Sequence, residues 1–193
     1  MFEWLSSAMQ QEIDDLTRRY GPAQTRVVEM GSNSYLLQGS RLCEVCMVIR
    51  RPNGRLLTMK KTFYPAGAYR LLTGGIEPGE SILEALQREI QEETGLTTTL
   101  IRFLGAIVYH MESRPRFATF AFLLEETGGV LQTNDPEEYL ESFQEIEIDT
   151  LPLIIERLGK LGHDYGPEIE SYWDDWGRFR IAVHRLVWEC LYA

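Results

Sequence analysis

The stretch from Gly74 to Leu96, GGIEPGESILEALQREIQEETGL, constrains the chain more than any other. It holds six carboxylates, at Glu77, Glu80, Glu84, Glu89, Glu92 and Glu93, against the one base Arg88. Ser81 and Glu84 fit a capping box and Gly95 can close a helix in the left-handed conformation, so Ser81–Thr94 reads as an α-helix. At about 100° per residue, with Ile82 as origin, Ile82, Leu86, Ile90 and Leu83 span roughly 0–100°. Glu93 falls at about 20° and Glu89 at about 340°, while Glu84, Gln87 and Gln91 hold the solvent side. Two carboxylates therefore lie against the face that must be buried. Gathering like charges there is costly unless a cation neutralises them. One arginine cannot compensate three or four glutamates. A hard divalent ion can, and an all-oxygen set without His or Cys suits Mg²⁺ or Mn²⁺ better than zinc.

The rest of the chain provides a frame for such a helix. At 193 residues it has the length of one generous domain, and its 44% hydrophobic and 25% charged content is that of a globular protein. A single domain over 1–193 is expected, with a core at about 41–162, an N-terminal extension over 1–40 and a C-terminal helical part over 163–193. No apolar run approaches the ~18 residues of a membrane span, and the start MFEWLSSAMQQE lacks a secretory pattern. The net charge of −10 excludes a general nucleic-acid coat protein, which carries the opposite sign. Three cysteines, an odd number without a signal segment, point to a reducing cytoplasm. Cys43 and Cys46 sit in LCEVCMVI, a strand-like run whose odd spacing sends them to opposite faces, so they read as structural thiols.

Apolar residues at Phe2, Leu5, Met9, Ile13, Leu16 and Tyr20 predict an amphipathic first helix stopped at Gly21-Pro22. Short β-like pieces follow at 26–30 and 35–38. A hairpin is expected from Leu42–Arg50 to Leu56–Lys61, turning at Pro52-Asn53-Gly54, and then a loop over 63–70. Beyond the acidic helix, 98–110 and 116–124 are β-rich, 130–141 is acidic and loop-like, and a strand near 143–148 precedes a helix at 151–161. The last helix places Trp176, Phe179, Val183, Leu186, Val187 and Cys190 on one face, which needs a partner surface in the same chain or across a homodimer. Strands and helices interleave, so the expected class is α/β, a mixed β-sheet covered by helices.

Gly74, Glu80, Arg88, Glu89, Ile90, Glu92, Glu93, Gly95 and Leu96 stand at the spacing of a complete Nudix box, and the chain resembles the Nudix (MutT-like) hydrolases. The resemblance implies an α/β/α sandwich with helical additions at both ends. It also implies hydrolysis of a nucleoside diphosphate linked to another group, a small nucleotide as partner, and Mg²⁺ or Mn²⁺ as cofactor. Glu89, Glu92 and Glu93 would ligate the metal, with the backbone carbonyl of Thr73 as a further ligand, although Leu72-Thr73 stands where such proteins usually carry Pro-Gly. Arg88 would orient a glutamate, Glu80 would support the site, and Glu138 in the later acidic loop is the candidate base beside the box glutamates. An ADP-ribose-like nucleotide sugar is the first substrate class implied and a (d)NTP the second. A nucleotide-sensing module without catalysis is the alternative, although such modules usually lose the metal-binding glutamates.

Just upstream, Arg50–Arg70 carries Arg50, Arg51, Arg55, Lys60, Lys61 and Arg70 without one acid. Arg50, Arg51, Lys60 and Arg70 are candidates for holding the substrate phosphates. Edge protection of a hairpin is the competing explanation.

Overall fold

The computed structural model describes residues 2–31, 37, 41–135 and 139–192. The elements run α1 (Ser7–Tyr20), β1 (Gln24–Met30), β2 (Cys43–Arg50), β3 (Leu56–Lys61), β4 (Leu72–Gly75) and α2 (Ile82–Thr94). They continue as β5 (Leu96–Met111), β6 (Arg114–Gly129), β7 (Leu140–Ile146), α3 (Leu151–Gly159), β8 (Tyr165–Gly166), β9 (Ser171–Tyr172) and α4 (Trp173–Tyr192). The mixed sheet has the order β1-β5-β6-β2-β3-β7, with β4 added on β2. Pairs β1/β5 and β6/β2 are parallel, and β5/β6, β3/β7 and β2/β4 are antiparallel. β2 is buried along nearly its whole length, as expected of a central strand covered on both faces. The architecture is therefore α/β, a mixed sheet with flanking helices.

The first helix starts later than its apolar pattern suggests. Ser6 caps it by accepting from Met9 N at 3.2 Å, so Phe2–Leu5 form a turn instead. Phe2 still reaches the core, its ring 6.0 Å from that of Phe120. The strand-like piece at 35–38 falls largely outside the described residues.

The hairpin differs from expectation in a way that matters for the site. Its turn forms, with Gly54 at φ 84°. The β2/β3 ladder, however, is reduced to the pair Arg50–Leu56. The two strands then separate, β3 pairs with β7, and β4 takes the edge of β2 from Glu44 to Met47. Met59 and Arg70 exchange both backbone hydrogen bonds, at 2.9 and 3.0 Å, so the segment leading into β4 is stitched to β3. Thr73, Gly74 and Gly75 are thus fixed between sheet and box helix, not carried on a loop.

The apolar face of α4 is satisfied within the chain. Trp176, Phe179, Val183 and Val187 are buried, Tyr109 packs on Phe179 at 4.3 Å between ring centroids, and α3 lies alongside. Tyr109 donates its hydroxyl to Phe179 O at 3.0 Å. That face gives no argument for a dimer. No helix among the described residues is long and apolar enough to cross a membrane.

Candidate active site on the acidic helix

α2 is capped at both ends by groups near and far. Ser81 accepts from Glu84 N at 3.2 Å and donates its own N–H to Glu84 Oε2 at 2.9 Å, completing the capping box. The next two amides come from outside the helix: Glu12 of α1 accepts from Ile82 N at 2.9 Å and from Leu83 N at 3.0 Å. Gly95 ends the helix at φ 62°, where a Cβ would lie 2.9 Å from Val130 O. Gln132 N and Asn134 N donate to Thr94 O and Glu92 O, which pins the described part of the later acidic loop to the end of α2. Glu138 itself lies outside the described residues.

Helical phase places the carboxylates as the 100° arithmetic requires. Glu89 and Glu93 are 7% and 2% exposed, while the side chain of Glu92 keeps 41% of its surface in solvent. Arg88 gathers them. Its Nη1 donates to Glu89 Oε1 and Glu92 Oε2, each at 2.9 Å, while Nε and Nη2 hold Glu80 at 2.8 Å. Nη2 also donates to Gly75 O at 2.8 Å, which ties the box helix to β4. These charge-assisted bonds, those to Glu80 first, hold the guanidinium charge firmly, and Arg88 in turn keeps the Glu80 carboxyl below its ordinary range.

β4 closes the site from below. A Cβ on Gly74 would lie 1.9 Å from Glu89 Cδ, so glycine leaves the cradle in which the carboxylate sits. Thr73 is buried and its Oγ1 accepts from Arg70 Nη1 at 3.1 Å. Glu89, Glu92 and Glu93 would supply an all-oxygen, anionic donor set, with Glu89 seated in the Gly74 cradle, a chemistry that fits a hard divalent ion. Among the described residues no three His, Cys, Asp or Glu groups already converge as a cation cage. Arg88 is the counter-ion that brings Glu89 and Glu92 together in this arrangement.

The basic run is dispersed by the fold. Arg50 meets Glu125 at 3.3 Å and Arg55 meets Glu147 at 2.8 Å. Arg51 Nε lies 2.6 Å from Glu126, an ion pair without hydrogen-bond alignment, and Lys60 pairs with Glu141. Acids absent from the segment arrive across space from β6, β7 and Glu147 just past β7. Arg70 is 2% exposed and donates inward to Tyr64 Oη, Leu71 O and Thr73 Oγ1. Burial disfavours its charge, but Tyr64, Glu93 and Glu44 outweigh that and hold it above an ordinary arginine. As it stands, Arg70 supports the floor of the site through Nε and Nη1.

Two supports had no signal in the sequence. Glu12 acts on a helix start 70 residues away. His184 of α4, fully buried, accepts from Leu71 N at 2.9 Å through Nε2 and donates from Nδ1 to Arg180 O at 2.7 Å. It is therefore neutral, and burial lowers its pKa to about 4. Arg180 holds buried Glu44 of β2 at 2.8 and 3.0 Å. α4 thus fastens β2 and the start of β4 together.

The chain is similar in sequence to several known proteins. The sequence profile of the NUDIX domain matches residues 41–164. An 8-oxo-dGDP phosphatase, NUDT18 from Danio rerio, is 48% identical over 67 residues, 35% of this chain and 19% of that protein. An ADP-ribose pyrophosphatase from Methanocaldococcus jannaschii is 34% identical over 128 residues, 65% of this chain and 69% of that one. The chain thus spans about a fifth of the zebrafish relative's length. A solved ADP-ribose pyrophosphatase structure from Streptococcus suis is 17% identical with a TM-score of 0.49, over 80% of this chain and 94% of that one. With the profile covering well over half its length and the box residues arranged around Gly74 and Arg88, the chain belongs to the Nudix family.

Proposed function

We propose that this chain is a metal-dependent hydrolase that cleaves the diphosphate bond of a nucleoside diphosphate derivative by attack of water on phosphorus. The observation that carries the reading is the pair of buried carboxylates, Glu89 and Glu93, on one helix face, with Glu89 seated against Gly74. Glu89, Glu92, Glu93 and the Thr73 carbonyl would hold Mg²⁺ or Mn²⁺. When bound, the ion neutralises phosphate oxygens and lowers the pKa of an adjacent water. Arg88 keeps Glu89 and Glu92 side by side, and Glu92, the most exposed of the three, has room to turn. Glu138 is the proposed acceptor of the water proton. The protein's share is charge compensation and positioning, because diphosphate cleavage asks little covalent chemistry of it.

An ADP-ribose-like nucleotide sugar is the preferred substrate class, in keeping with the activity named for the archaeal relative, and a (d)NTP is the second. The proposed compartment is the cytoplasm, supported by three buried thiols without disulfides. A single domain over 1–193 remains the proposed organisation, and a homodimer remains a proposal without the α4 face to support it. Reaction in ¹⁸O water tests the chemistry. Label should enter a phosphate of one product and no sugar hydroxyl, and turnover should vanish with EDTA and return with Mg²⁺. Label on the sugar overturns the mechanism. Tight metal-dependent binding without turnover of any diphosphate would make the chain a sensor instead.

A further inference from the structure

A cleft of about 820 Å³ lies between the start of α1 and residues 76–84, the loop that leads into α2. That is the volume of a small-molecule site. Its wall is largely apolar, with Leu5, Met9, Leu42, Cys43 and Ile76. Met9 Sδ and Cys43 Sγ meet there at 3.8 Å, a soft, polarisable surface suited to a flat ring. The opposite rim is acidic, carrying Glu12, Glu77, Glu80 and Glu84. Among the described lining residues the cation is Arg41, whose Cζ would lie 2.2 Å from a Cβ on Gly75. Arg41 therefore marks the end of the cleft beside Gly75 of β4.

The charge arrangement decides what fits. A helix N-terminus normally attracts phosphate. Here the carboxylate of Glu12 already takes the Ile82 and Leu83 amides. A phosphate pushed into the cleft would find those donors used and the carboxylates of Glu12, Glu77 and Glu84 around it, Glu80 being paired with Arg88. An uncharged base and ribose would meet the apolar wall on one side and hydrogen-bond acceptors on the rim. Only at the Arg41 end is a negative group matched.

We propose that this cleft receives the uncharged nucleoside end of the substrate, with the diphosphate at its Arg41 end. Diphosphates capped at both ends by uncharged groups are therefore preferred over nucleoside triphosphates. The link to turnover rests on the hydrolase reading above, whereas binding in the cleft does not.

Methionine-methyl ¹³C NMR in EDTA tests the binding, with the Met9 resonance assigned through Met9→Leu. Titration with adenosine, guanosine, cytidine and uridine should shift the Met9 methyl saturably for at least one, and inorganic tripolyphosphate should leave it in place. In turnover with Mg²⁺, Met9→Trp should raise KM for ADP-ribose at least about tenfold with kcat little changed. Glu77→Lys should narrow the preference for ADP-ribose over ATP by about tenfold. Should Met9→Trp fail to fold, the wild-type titration and Glu77→Lys still decide. A Met9 methyl unmoved by all four nucleosides, or moved equally by tripolyphosphate, overturns the subsite. Turnover of diphosphates without Met9 movement leaves hydrolysis standing and removes the subsite. Met9 movement without turnover does the reverse.

Discussion

The carboxylate of Glu89 occupies the space that a side chain on Gly74 would need, its Cδ only 1.9 Å from where a Cβ would stand. Both residues are buried, one on the helix and one on the strand beneath it. Gly74→Ala therefore must displace either β4 or the proposed metal ligand. Overpacking of a buried site costs about 1–3 kcal/mol, and here the displaced group is the carboxylate proposed to hold the metal. The variant should lose several degrees in Tm and at least about 10²-fold in kcat. A variant that melts as wild type and turns over as wild type would contradict this contact.

Glu92→Gln and Glu93→Gln should each lower kcat by at least about 10²-fold while the fold survives, because each removes a charge from the transition-state electrostatics. Circular dichroism reports the fold and saturating Mg²⁺ or Mn²⁺ guards against simple loss of affinity. Near-wild-type turnover in both would sink the assignment of the acidic helix as the active site.

The box helix was legible because everything that defines it is local: the Ser81–Glu84 cap, the apolar stripe and Gly95 lie within fifteen residues. The angular position of Glu89 and Glu93 followed from helical geometry alone, and both are buried. What escaped is long-range. Turn chemistry at Asn53-Gly54 marks a hairpin, yet it cannot say that Leu72–Gly75 will take the β2 edge and send β3 to β7. The run from Arg50 to Lys60 looks uncompensated in sequence, and its acids come from residues 125–147. Glu12 and His184 act across 70 and 113 residues, with no periodic or spacing signature to mark them.

Glu12 gives a stability prediction separate from catalysis. Its carboxylate satisfies two amides that α2 cannot satisfy itself. Glu12→Ala should cost about 0.5–2 kcal/mol, the range of a lost N-terminal cap, and Glu12→Gln should cost less because its amide oxygen still accepts. Urea denaturation at neutral pH measures both. Equal stability of all three proteins would show that water replaces the carboxylate without loss.

His184 sets a pH dependence whose sign is fixed by its partners. Folded, it must be neutral, since Nε2 accepts from Leu71 and Nδ1 donates to Arg180 O, and burial first, then the charges of Arg180 and Arg70, lower its pKa to about 4. Unfolded, it returns to its ordinary 6.5. Between these values the unfolded chain binds the extra proton, so acid favours unfolding. The contribution is fully present above pH 6.5 and is lost as pH falls through about 4. The gap corresponds to roughly 3 kcal/mol, an order of magnitude for one buried group. His184→Gln supplies an amide in place of the ring and carries no titrating proton. Its unfolding free energy should therefore lie below wild type at pH 7 and fall less steeply between pH 6.5 and 4. Parallel curves for the two proteins across that window would show that His184 is not the group that titrates.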